Sequence, residues 1–124
     1  MGGLAACLGA CHPTAQQHGS TRITAAYRLP TLRATLPESA RVPAVITAAE
    51  QTVRTRGYSV ESVEVTEEAG KLVVRPPRTN DLPKIVIQSH VEARATRVTL
   101  TVWPVGDEEL ARSVLDGTLQ RLGL

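Results

Sequence analysis

From about residue 27 the chain alternates apolar and polar positions in a regular way. Leu32, Ala34 and Leu36 alternate with Arg33 and Thr35, the period of a half-buried strand. Pro30 and Pro37 bracket this run and predict a short strand at a sheet edge. The period then changes. Val42, Val45, Ile46, Ala49 and Val53 fall on one face of a helix predicted over 40–56. Ser39 is its candidate N-cap, Pro43 suits the first turn, and Gly57 ends it behind Arg54 and Arg56. Tyr58, Val60, Val63 and Val65 give two alternating runs with a phase slip at Glu61-Ser62, which predicts a bulge. Glu67-Glu68-Ala69-Gly70 turns the chain into a brief strand at Leu72-Val73-Val74, and residues 76–83 form a proline-rich loop. Ile85 to Ala93 and Val98 to Trp103 alternate strictly, predicting a hairpin of 84–94 and 97–105 around a turn at Arg94-Ala95-Thr96-Arg97. Asp107, Glu108 and Glu109 place negative charge at the start of a last helix. Its apolar stripe is Leu110, Val114, Leu115, Thr118, Leu119 and Leu122, closed by Arg121 and Gly123.

The order is therefore β-α-β-β-β-β-α. It predicts an α+β two-layer sandwich, a mainly antiparallel sheet with two helices packed on one face, forming a single domain over 27–124.

The first 26 residues follow another pattern. Residues 1–11 are small, apolar and uncharged, and residues 12–26 begin with the polar run HPTAQQHGSTR. Leu8-Gly9-Ala10-Cys11 resembles a lipobox, an aliphatic residue and two small ones before the cysteine that takes the lipid; Leu4-Ala5-Ala6-Cys7 is an alternative. On this reading 1–11 is the remnant of a lipoprotein-type signal segment and 12–26 a flexible polar tether, reaching roughly 20 Å r.m.s. as a random chain. No Lys or Arg precedes Arg22 and only ten residues precede Cys11, so the signal's basic start would lie upstream of Met1. Without such a start, the expected location is the cytoplasm. A second reading is haem attachment at Cys7, Cys11 and His12, spaced one residue longer than the usual motif. A third is a zinc site of Cys7, Cys11, His12 and His18.

Composition narrows the chemistry. Hydrophobic residues are 42% and charged residues 21% of 124, which supports a packed core. Tyr27, Tyr58 and Trp103 are the only aromatics, so no stacking platform for single-stranded nucleic acid arises from sequence neighbours. A formal net charge of +2 gives no polyelectrolyte signature. No stretch approaches the ~20 apolar residues of a spanning helix. There is no phosphate-binding glycine loop and no G-x-S-x-G elbow. His90 shares the polar phase of its strand with Gln88 and Glu92 and reads as solvated, as do the clustered carboxylates Glu61, Glu64, Glu67 and Glu68. Trp103 stands on the outward phase of the last strand, and Arg75, Arg78 and Lys84 could form a polar rim around it as a partner contact.

These features together resemble an uncharacterised family of small bacterial lipoproteins with one β-α-β4-α domain behind a lipobox-like cysteine. The matching pieces are Tyr27, the helix through Ala48-Ala49 to Gly57-Tyr58, Thr96-Arg97-Val98, and Gly106-Asp107 with Leu115 and Leu122. The prolines at 76, 77 and 83 depart from the pattern. The resemblance implies fold and location but no activity. The expected function is a non-enzymatic, lipid-anchored cell-envelope protein on the periplasmic side. It would be held to the membrane by lipid on Cys11, without cofactor, metal or nucleic acid, and would contact an envelope protein partner. The alternative is a soluble domain binding a small ligand between helices and sheet.

Overall fold

The computed structural model describes residues 14–77 and 83–124. The elements run β1 (Thr14–His18), β2 (Ile23–Arg28), β3 (Thr31–Pro37), α1 (Val42–Thr55), β4 (Ser59–Val65), β5 (Ala69–Arg75), β6 (Lys84–Glu92), β7 (Ala95–Trp103) and α2 (Glu108–Leu122). The strands form one antiparallel sheet in the order β1-β2-β3-β7-β6-β5-β4.

This corrects the expected β-α-β-β-β-β-α fold. The sheet has seven strands rather than five, and the two extra ones occupy most of the stretch expected to be a flexible tether. In β2, Ile23, Ala25 and Tyr27 face inward while Thr24 and Arg28 face out; two alanines hide a period-2 pattern that larger side chains would announce. β1 has no such pattern, since His18 is its only buried residue. Its backbone is satisfied by the ladder to β2, from Thr14 opposite Tyr27 to His18 opposite Ile23. The strand at 31–37 is also not an edge. It lies between β2 and β7, because Pro30 precedes the strand and Pro37 is its last residue, where a missing N–H does not interrupt the ladder.

Both helices lie side by side on one face, α1 over β4, β5 and β6 and α2 over β1, β3 and β7. The core follows from register. Tyr27, Leu32, Leu100, Ile87 and Leu72 stand directly opposite one another across five strands, all buried. A second row runs Ala25, Ala34, Val98, Ser89 and Gly70. At Gly70 the missing side chain matters, because a Cβ there would stand 2.6 Å from Ile46 Cγ1 of α1.

Helix ends follow their local chemistry. α1 starts at Val42 with Arg41 as N-cap, so Ser39 is not the cap; Pro43 in the first turn removes one amide that would need a partner. Gly57 takes a left-handed φ of 84°, and Gly57 N–H and Tyr58 N–H donate to Arg54 and Val53 carbonyls, closing the helix. Asp107 Oδ1 accepts from Leu110 N–H at 3.0 Å and caps α2. The register of β4 shifts between Val60 and Ser62, a bulge at the phase slip. The β6–β7 turn is tighter than expected: Glu92 pairs with Ala95, leaving Ala93 and Arg94 as a two-residue loop, both at positive φ.

Candidate interaction surface

With both helices on one side, the opposite face of the sheet is uncovered. Strand alternation decides what it displays. β2 contributes Thr24, Ala26 and Arg28, and β3 contributes Thr31, Arg33 and Thr35. β7 adds Arg97, Thr99, Thr101 and Trp103, and β6 adds Lys84, Val86, Gln88, His90 and Glu92. β5 adds Lys71, Val73 and Arg75. Cations outnumber carboxylates on this face, and the carboxylates are partly spent. Glu61 at the β4 bulge pairs with Arg75, and Glu92 with Arg97 at 3.0 Å. Arg28, Arg33, Lys71 and Lys84 make no ion pair or side-chain hydrogen bond among the described residues. Thr31 and Thr101 are joined through their hydroxyls at 2.9 Å.

Two regions stand out. The first is a shallow depression of about 510 Å³ bordered by Arg22, Arg33 and Arg97 with Thr24, Ala26 and Thr35. Arg33 pairs with Thr99 and Arg97 with Thr35, so the two guanidiniums come from diagonal positions on adjacent strands. Arg22 reaches the same rim from the β1–β2 turn, at φ 57°. The Nε of Arg97 is buried without a hydrogen-bond partner. Three guanidiniums and two hydroxyls around one hollow suit a carboxylate or phosphate, which accepts hydrogen bonds from each.

The second region holds the residues expected from sequence. Trp103 is 47% exposed and stands directly opposite Lys84 across the β6–β7 ladder. Arg75 shares the face on the next strand. Three of the four expected contact residues thus gather at one end of the sheet; Arg78 lies outside the described residues, as do Cys7, Cys11 and His12.

Sequence reasoning missed the arginine hollow. Each of Arg33 and Arg97 sits in the polar phase of a legible strand, but nothing local states that β3 neighbours β7. It also placed His18 in a polar tail with a zinc reading. Instead His18 is buried against α2. Its Nδ1 contacts Asp116 Oδ1 at 2.6 Å and its Nε2 contacts Arg112 Nη1 at 2.9 Å. Arg112 can only donate, so Nε2 accepts and the ring proton sits on Nδ1, facing the carboxylate. Both nitrogens are engaged, which leaves neither for a metal or a substrate. Arg112, also buried, donates further to Glu108 Oε2 at 2.9 Å, Ala25 O at 3.1 Å and Thr14 O at 2.9 Å. Thr14 Oγ1 and the Arg112 guanidinium hold the Glu108 carboxyl below its ordinary pKa. Burial, aided by the charges of Glu108 and Asp107, pushes the Tyr27 phenol up. This network fastens β1 and β2 to α2.

No helix among the described residues is long and apolar enough to cross a membrane. The chain matches no protein-family model, and a comparison with curated proteins finds no significant similarity.

Proposed function

We propose that this is a non-enzymatic, lipid-anchored protein of the bacterial cell envelope, whose α+β domain binds an anionic partner protein through its uncovered sheet face. The observation that carries the binding role is the hollow of Arg22, Arg33 and Arg97 with Thr24 and Thr35. A face that only needed solvation would intersperse charges of both signs; here Arg22 and Arg33, which make no ion pair among the described residues, converge with Arg97, itself paired with Glu92, around a concavity. The anchor is supported by the lipobox-like run before Cys11. The Asp116–His18 pair does not favour an enzymatic reading, because Arg112 occupies the nitrogen a general base would use.

Two measurements test this. Cells expressing the native gene are fed a palmitate analogue; label on the protein that disappears in Cys11→Ser supports the anchor, and unlabelled native protein refutes it. A photo-crosslinking residue at Thr99, between Arg33 and Gln88 in the sheet, reports the partner. The crosslink is expected to vanish in Arg33→Glu/Arg97→Glu, and its persistence there would refute the arginine hollow as the binding site.

A further inference from the structure

The two ends of the sheet differ. One end gathers the β2–β3 connection, the β7–α2 connection and the start of β1. There Leu29 is 69% exposed, Val105 74%, and Trp103 stands beside them on the strand end. The two connections touch: a Cβ on Gly106 would lie 2.6 Å from Leu29 Cδ1 and 3.2 Å from Pro30 Cα. Leu29, Pro30, Trp103, Pro104 and Val105 therefore form one apolar tip rather than scattered exposures. A folded domain gains nothing by leaving such side chains in water at two adjoining loops.

The described part of the chain begins at the same end. Thr14 stands opposite Tyr27, two residues before Leu29, and its hydroxyl donates to Glu108 Oε2 at 2.7 Å, just past Val105. Cys11 precedes Thr14 by three residues in the sequence, a chain length of at most about 11 Å. Because β1 and β2 replace the expected tether, an anchor at Cys11 would draw this end, and no other, against the bilayer.

We propose that the tip of Leu29, Trp103 and Val105 rests in the interfacial layer of a phospholipid bilayer, fixing the orientation of the domain on the membrane. This rests on the reading of Cys11 as the anchor. An exposed Trp beside aliphatic loop residues matches the amphipathic region between headgroups and acyl chains. The contact is apolar rather than ionic. Arg28 and Lys84 flank the tip, but Asp107, Glu108 and Glu109 lie at the same end. The orientation leaves the hollow around Arg33 and Arg97 for the protein partner and gives Trp103 to the membrane.

Trp103 is the only tryptophan, so its emission reads the contact directly. The full chain carrying Cys7→Ser is coupled through Cys11 to vesicles of phosphatidylcholine and phosphatidylglycerol containing a maleimide-headgroup lipid. Expected are a blue shift of Trp103 emission, quenching when the acyl chains are brominated, and persistence of both in high salt. Leu29→Glu/Val105→Glu, at exposed positions and with its melting midpoint checked, is expected to return the emission to that of free protein. Water-like, unquenched emission of the coupled protein would overturn the proposal, as would an undiminished shift in the double glutamate variant. Chemical coupling supplies the tether whatever the cell does, so this result is independent of the palmitate labelling that tests the anchor.

Discussion

Replacing Arg112 by methionine should release β1 while leaving the centre of the sheet folded. Methionine keeps the unbranched stem and α2's helix propensity but removes every donor. His18 Nε2, Ala25 O, Thr14 O, Thr14 Oγ1 and the Glu108 carboxylate each then lose an Arg112 N–H, Glu108 retaining the Thr14 hydroxyl. Breaking a buried charged cluster by removing one member costs about 3–5 kcal/mol. The cost falls locally because β1 has little else to hold it, its first four residues being exposed and its only sheet partner being β2. Native-state hydrogen exchange reads this residue by residue. At about 1.4 kcal/mol per decade, β1 amides should lose at least ~100-fold in protection. Amides of β6 and β7, in the middle of the ladder, should change far less. Unaltered protection in β1 would show that the Arg112 network contributes nothing there. Equal losses in β1 and β7 would show that Arg112 supports the whole core. Either result refutes the argument.

Three further outcomes are expected. Ser89→Ala should raise stability by about 1 kcal/mol in urea titration, because the Ser89 hydroxyl is buried between Val98 and Gly70 without a hydrogen-bond partner. Ala93→Asn/Arg94→Gly should also stabilise, by roughly 1 kcal/mol, since both turn residues have positive φ and only these replacements adopt it at little cost; an unchanged melting midpoint would count against that. The Glu108 carboxyl is held below its ordinary value of 4.5 in the folded state, so its contribution is complete above that pH and is lost as pH falls through the depressed folded value. Glu108→Gln should therefore flatten the acid limb of a melting-midpoint profile below about pH 4.5, and an unaltered limb would contradict the assignment.

What could be read from sequence was whatever short-range chemistry decides. The faces of α1 and α2, the stop at Gly57, the acidic start of α2, the bulge near Ser62 and the pairing of β6 with β7 each involve residues close in the chain. Trp103 and Lys84 were legible as neighbours for the same reason, being the last and first residues of one hairpin and so facing each other at its open end. What escaped depended on distant partners. β1 has no large apolar residue, and its place rests on His18 meeting Arg112 and Asp116, nearly the whole domain away in sequence. The edge assignment of 31–37 failed because flanking prolines report where a strand ends, not what lies beside it. Arg33 and Arg97 looked like ordinary solvated positions until β3 was placed against β7.

That placement has a kinetic consequence. The sheet is two consecutive antiparallel groups, β1-β2-β3 and β4-β5-β6-β7, joined only where β3 meets β7. The nearest pair across the seam, Pro37 and Ala95, is about 60 positions apart, so closing it carries a chain-entropy cost that hairpins do not bear. Before β7 is available, β3 has only β2 to lie against, where Leu32 meets Tyr27, and α2, which covers β3, does not yet exist. A chain emerging from its N-terminus thus has no closed core until its last quarter has been delivered. Folding should be a late, concerted event in which β7 acts as the keystone, and truncation before Val98 should leave a chain without cooperative unfolding.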